Sequence, residues 1–307
     1  MKKWLVCIVL ILAGCQTAPA PTPIPPSPTP EPTPVPTPAP TETPEPTPPP
    51  LGAGFRYSTY GPWYDPGPEY WLSVGQQMAA KFPGAVPETL WIVSTQGGKG
   101  TTLSFPGSSD KPDIFFGSKD NNEDALTLFD EQGVNVWLQV EPGQADVAEL
   151  IRLVLDRYSH HPSVVGFGVD VEWYGSIGSP EGQAVTDEKA AAWLAQIREY
   201  SPEYRLYLKH WLPEKMPPTL RDGLFFVDDS QGVDSMETLV AEFKVWGETF
   251  APAPVGFQYG YISDKSWWGE LADPAGETGQ AILTAVPNTA GLYWVDFTVL
   301  DVFPPAE

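Results

Sequence analysis

The sequence predicts an α/β protein whose globular part is one (β/α)8 (TIM) barrel, and three observations carry that expectation. Eight short runs of β-type residues alternate with stretches of helical periodicity. The alternation fills about 250 residues, the usual span of such a barrel. No glycine-rich phosphate loop follows the first run, which counts against a nucleotide-binding open sheet. A doubly wound open sheet is the alternative layer arrangement.

The first four strands are expected at Phe55 to Tyr60, Thr89 to Ser94, Val134 to Val140 and Val164 to Val171. The next four are expected at Arg205 to Lys209, Leu224 to Val227, Val255 to Tyr259 and Gly291 to Asp296. Helices lie between them. Val147, Leu150, Ile151 and Val154 share one face at a spacing of three and four, as do Ala190, Trp193, Leu194 and Ile197, and Met236, Leu239, Val240 and Phe243. Thr186 stands where an N-cap belongs, and Gly133 where a helix needs a left-handed terminal residue. The stretch from Gln96 to Lys111 carries Gly and Pro with little periodicity and predicts a loop.

Three regions precede and include this domain. Residues 1–15 have a positive start at Lys2 and Lys3 and an apolar run from Trp4 to Ala13, too short to span a bilayer. The run ends in Leu12-Ala13-Gly14-Cys15, which resembles the lipobox of bacterial lipoprotein signal peptides. That resemblance implies acylation of Cys15, cleavage before it, and a lipid anchor facing outward from a bacterial cell membrane or outer membrane. Residues 16–50 hold 17 of the 37 prolines, interleaved with Thr, and predict an extended disordered stalk reaching on the order of 100 Å. Residues 51–307 form the barrel. Cys7 and Cys15 are the two cysteines, so no disulfide is expected in the globular part.

With 17 basic and 39 acidic residues the formal net charge is −22. Loss of Lys2 and Lys3 with the signal makes it more negative still. Nucleic acid and anionic lipid headgroups are therefore excluded as partners, and neutral or cationic polymers fit better. A monomer is expected.

In such a barrel, chemistry sits at the C-terminal strand ends. The fourth strand ends Gly166-Phe167-Gly168-Val169-Asp170-Val171-Glu172-Trp173-Tyr174. With a period of two, Asp170 and Glu172 point the same way and Val169 and Val171 the other. Two neighbouring carboxylates repel, which raises one pKa and makes that group an acid near neutral pH. A glycosidase uses such an acid to protonate the leaving oxygen.

The motif resembles the fourth strand of family 18 glycoside hydrolases, the chitinases and endo-N-acetylglucosaminidases, which reads D-G-x-D-x-D-x-E. Gly166, Asp170 and Glu172 match, while Val165 and Gly168 replace the first two aspartates. The resemblance implies Glu172 as general acid and Asp170 as the group orienting the substrate's own acetamido, whose oxygen attacks the anomeric carbon. It also implies sugar contacts from Tyr259 on the seventh strand and Trp294 on the eighth, and Gln258 fits a strand that supplies no carboxylate nucleophile. Phe226-Val227-Asp228-Asp229 stands where the family carries a tyrosine. Val169-Asp170-Val171-Glu172 also resembles the D-x-E of family 25 lysozymes, although Arg56 to Tyr60 lacks their first-strand aspartate.

Other polar and aromatic residues at predicted strand ends complete the expected substrate contacts: Tyr60, Glu141, Trp173, Tyr174, His210, Asp228, Asp229 and Asp296. The chain has 12 tryptophans, and Trp63, Trp137 and Trp211 also fall near strand ends, where rings can stack on pyranose faces. Glu141, Asp170, Glu172, His210 and Asp228 are the set from which a divalent site could be built in the mouth. With three histidines, two of them (His160-His161) assigned to the opposite end of the barrel, neither a metal nor a cofactor is expected. No G-x-S-x-G elbow appears. The expected function is a surface-anchored glycoside hydrolase acting on N-acetylhexosamine glycans. Its alternatives are a catalytically weak carbohydrate-binding barrel, a family 25 lysozyme-like or metal-dependent barrel hydrolase, and a scaffold lipoprotein whose acidic pair is incidental.

Overall fold

Eight parallel strands close into a cylinder, because the first strand pairs with both its sequence neighbour and the last strand. The computed structural model describes residues 50–305, so the signal, Cys15 and nearly all of the stalk lie outside the described residues. In chain order the elements begin β1 Gly52–Tyr57, α1 Pro68–Ala80, β2 Val86–Gly97, β3 Gly100–Leu103, β4 Ile114–Phe116, α2 Glu123–Gln132, β5 Asn135–Val140, α3 Val147–Tyr158 and β6 Val164–Asp170. They continue with α4 Asp187–Arg198, β7 Arg205–Lys209, β8 Leu224–Asp228, α5 Met236–Phe250, β9 Val255–Tyr259, α6 Lys265–Trp268, α7 Pro274–Ala285, β10 Thr289–Val295 and α8 Val299–Val302. The barrel order is β1-β2-β5-β6-β7-β8-β9-β10, returning to β1. Closure overturns the open-sheet alternative.

The predicted loop from Gln96 to Lys111 is largely structured. β3 folds back antiparallel on β2 and β4 adds parallel to β3, so this sheet leaves the barrel as a flap before α2 begins. The sequence hides it because the strands are short and Gly97, Gly98 and Gly100 make the turn. β1 is displaced from its predicted range for a related reason. Gly52 and Gly54 open it and face inward, where a Cβ would overlap Glu88 of β2.

Helix ends follow local chemistry. Thr186 Oγ1 accepts from the Lys189 amide at 3.3 Å, capping α4, and Asp146 and Ser235 cap α3 and α5 in the same way. Gly133 ends α2 at φ 69°, a left-handed conformation that costs glycine least.

Strand alternation sorts the core into two compartments. Outward residues such as Val136, Leu138, Phe167, Val169, Leu206 and Leu208 pack under the helices. Inward ones, Leu90, Trp137, Tyr207, Phe225, Val227 and Tyr293, form a separate cluster that plugs the cylinder. Glycines make room for these rings: at Gly166 and Gly168 a Cβ would run into Trp137 and Tyr207 respectively. Trp137, expected near the mouth, is thus a filler of the barrel axis.

Candidate active site

Above the aromatic plug the inward positions turn polar, and they meet in a cleft of about 270 Å³ at the C-terminal end of the strands. The strand residues supply its floor and the following turns its walls. Arg56 ends β1, Gln139 and Glu141 end β5, Asp170 ends β6, Lys209 ends β7, and Asp229 follows β8. Glu172 and Trp173 sit on a single 3-10 turn, Val171–Trp173, that begins where β6 stops. The extended chain expected through residue 171 breaks off one position earlier, yet both carboxylates still reach the cleft.

Lys209 organises the centre. Its Nζ pairs with Asp229, lies 3.0 Å from Asp170 Oδ2 and stands 3.9 Å from Glu172 Oε2. Burial alone would lower the Lys209 pKa, but Asp170 and Asp229 more than reverse this and hold the ammonium charged. Asp170 is raised well above the ordinary carboxylate range, first by burial and then by Glu172, Asp229 and Glu141, with Lys209 opposing. Glu172 is raised too, by its own burial and by Asp229 and Glu141, again against Lys209. Burial first, and neighbouring carboxylates second, thus favour the protonated forms of Asp170 and Glu172 more than in isolated side chains.

Asp170 is held on a second side. Gln139 Nε2 donates to its Oδ2 at 3.1 Å, and Tyr207 donates in turn to Gln139 Oε1. Asp170 Oδ1 is buried and has no hydrogen-bond partner among the described residues. Glu172 is the freer acid: its side chain is 24% exposed and accepts no hydrogen bond from the described residues. On the opposite wall Tyr60 donates to Glu141 Oε1, and the Gln96 amide donates to Oε2 at 2.9 Å. Burial raises Glu141 despite these donors. Asp296 lies beneath the wall, fully buried, where it pairs with Arg56 and takes the Ser58 amide and hydroxyl, each at 2.6 Å.

Of the expected residues, the structure thus brings Tyr60, Glu141, Asp170, Glu172, Trp173 and Asp229 into one cleft, with Asp296 fixing its Arg56. Four others lie elsewhere because of strand parity. Trp294 points outward, fully buried, and donates to Thr298 at 3.0 Å. Tyr259, also outward, donates to the Ala275 carbonyl at 2.9 Å. Asp228 turns away from the axis and accepts from the Ser230 amide and hydroxyl at 2.8 and 2.7 Å. His210 is buried with both nitrogens committed, Nδ1 accepting from the Leu212 amide at 2.8 Å and Nε2 donating to the Glu181 carbonyl at 2.9 Å. Burial lowers its pKa, so it is a neutral strut.

Two further residues miss the cleft. Gln258 keeps inward parity but lies fully buried, accepting from the Tyr261 hydroxyl at 3.1 Å. Tyr174 leaves the turn to pack edge-on against Trp193 and accepts from Lys189 Nζ at 2.5 Å. Of the set from which a divalent site could be built, His210 and Asp228 face away from the cleft, and the Lys209 ammonium stands beside Asp170 and Glu172. Arg56, Gln139, Tyr207, Lys209 and Tyr261 were missed as site residues. Inward parity next to a known site residue is the signal that marks the first four.

No protein-family model matches the sequence, and no curated protein sequence matches it. Among solved structures the chain is similar to a β-glucuronidase from an uncultured Clostridium sp., at 13% identity and a TM-score of 0.41. That match covers 56% of this chain and 35% of the other. It is also similar to a β-D-glucuronidase from Dictyoglomus thermophilum, at 12% identity and a TM-score of 0.41, covering 67% of this chain and 37% of that one. Both neighbours are glycoside hydrolases by name, and the chain spans little more than a third of either. Among the described residues no helix is long and apolar enough to cross a membrane.

Proposed function

We propose that the cleft hydrolyses glycosidic bonds next to an N-acetylhexosamine, with Glu172 as general acid and Asp170 orienting the substrate's acetamido group. The observation that carries this reading is the contrast between two adjacent acids. Asp170 is locked by Gln139 and Lys209, whereas Glu172 accepts no hydrogen bond from the described residues and stands partly exposed at the cleft surface. A positioning group needs the first environment and a proton donor the second.

The steps balance without an enzyme nucleophile. Glu172 gives its proton to the glycosidic oxygen as the C1–O bond breaks. The acetamido carbonyl oxygen closes on C1 while Asp170 accepts a hydrogen bond from the acetamido N–H. Water then adds to C1, losing a proton to the Glu172 carboxylate and reopening the ring with retained configuration. The unpartnered Oδ1 of Asp170 is the atom available for that N–H. Lys209 Nζ, 3.0 Å from Oδ2, opposes the burial that raises Asp170 and so favours its accepting, anionic form.

The domain would act outside the cell, tethered through Cys15 and held off the membrane by the proline-rich stalk, and as a monomer. The experiment is hydrolysis of aryl glycosides of N-acetylglucosamine oligomers, with Glu172→Gln beside the wild type. Turnover lost in the variant, and absent on glucosides without the acetamido, supports the reading. Equal turnover on both substrates would remove the acetamido step.

A glycan receptor is the second reading. It is favoured by the 3.9 Å approach of Lys209 to Glu172, which offsets part of the acid's raised pKa. Tight glycan binding without turnover selects it.

A further inference from the structure

Between the start of α2 and the turn that follows α3, three potential ligand atoms converge. His160, His161 and Glu123 each offer one donor, and these lie within 4.8 Å of one another. Glu123 Oε1 is 3.5 Å from His161 Nε2 and 3.8 Å from His160 Nε2. Donors bound tetrahedrally at about 2.0–2.1 Å from a zinc-class ion stand roughly 3.3 Å apart. The observed separations exceed that by a few tenths of an ångström, within reach of the exposed His160 and Glu123 side chains, which are 61% and 43% accessible.

The second observation concerns His161. It is 3% exposed, and its Nδ1 lies 2.6 Å from Asp130 Oδ2. Asp130 is itself anchored by the Ser163 amide, which donates to Oδ1 at 2.9 Å. A carboxylate only accepts, so Nδ1–H donates to Asp130 and Nε2 is the ring atom turned toward Glu123. That Nε2 is buried and has no hydrogen-bond partner among the described residues. At 3.5 Å from Glu123 Oε1 it leaves a gap in which a cation could be shared by the two atoms. A carboxylate behind a ligating histidine is the outer-shell arrangement that fixes the tautomer and raises ligand basicity.

We propose that Glu123, His160 and His161 bind one borderline divalent transition-metal ion of the zinc class, with Asp130 as the positioning residue behind His161. Two imidazoles and one carboxylate suit zinc or cobalt rather than the all-oxygen shells of magnesium or calcium. The site borders an open surface cavity of about 640 Å³ that shares Glu123 and His160, so a remaining coordination position faces solvent. Arg157 lines the same cavity, but its charge is held by Asp120 at 2.5 Å. The ion would clamp the start of α2 to the turn between α3 and β6. The sequence conceals the set, because Glu123 is far in sequence from the His pair and only helix packing joins them.

The test is calorimetric titration of the metal-stripped full chain with Zn²⁺, and with Co²⁺ followed by visible absorption. His160→Ala and Glu123→Ala, both at exposed positions that leave the core intact, are titrated in parallel. Cys7 and Cys15 are common to all three proteins, so any thiol binding cancels in the comparison. One equivalent bound by the wild type and weakened at least ~10-fold in each variant establishes the site. Asp130→Asn should weaken it by about 10–100-fold, as loss of an outer-shell partner does. Binding that is absent from the wild type, or equal in wild type and variants, overturns the proposal.

Discussion

Lys209 Nζ lies 3.0 Å from Asp170 Oδ2, deep in a barrel whose two flanking carboxylates, Asp229 and Glu172, compete for the same ammonium. That pairing sets both the stability and the acid strength of the cleft. Lys209→Met should therefore destabilise the protein by about 3–5 kcal/mol, the cost of stranding a buried charge, read as a lower urea midpoint at unchanged slope. A loss under ~1 kcal/mol would mean that protonation of Asp170 relieves the stranded charge.

Glu172→Gln should lower kcat by at least about 100-fold, the usual contribution of a general acid, while leaving the unfolding midpoint within about 0.5 kcal/mol of wild type. The stability part follows because the side chain is partly exposed and accepts no hydrogen bond. Retained kcat would move the acid to another group in the cleft.

The pH profile follows from the direction of the Glu172 shift. The acid must be protonated to donate, so kcat/KM should fall as pH rises through its raised pKa. Lys209 opposes that rise, so in any folded Lys209→Met protein the alkaline limb should move to higher pH. A limb that stays in place would show that another group titrates.

Asp228 provides a stability test away from the cleft. Burial raises its pKa well above the ordinary value, against the two Ser230 donors. A carboxyl with a raised folded pKa contributes fully below its unfolded value and loses stability as pH rises towards the folded one. Asp228→Asn, which can still accept from Ser230, should therefore stabilise the protein at pH 7 by on the order of 1–3 kcal/mol. The gain should vanish below roughly pH 4, where the unfolded aspartate is also protonated. A pH-independent difference would point to packing instead.

Gly168 stands where the family 18 pattern has an aspartate, and the space beside it is filled by the Tyr207 ring. Gly168→Asp should therefore cost about 1–3 kcal/mol from overpacking and lower activity rather than raise it. Tyr207→Phe, which frees Gln139 from its donor, should lower kcat a few-fold with little change in KM. Higher activity in Gly168→Asp would show that the ring gives way.

The strands and their alternation were legible because a barrel imposes a period of two on apolar outward residues, as in Val136, Leu138 and Val140. The same period places Asp170 and Lys209 inward, so the centre of the cleft could be read from one strand and its neighbour. Trp294 and Tyr259 went astray where resemblance took precedence over parity: each is one residue out of phase with the inward Tyr293 and Gln258. The β3–β4 flap was illegible for another reason. Three- and four-residue strands owe their existence to the partner they pair with, and their own composition carries little signal. Glu172 kept its place despite the early end of β6, because a single 3-10 turn redirects the chain without moving it out of the mouth.

The aromatic plug has a consequence for traffic. With Trp137 stacked on Phe225, Tyr207 edge-on to it and Tyr293 in the same buried cluster, the cylinder is stoppered below the acids, and the cleft has one door. A polymer cannot thread through it. A chain must drape over the rim or dip one end in, and whatever enters must back out the same way.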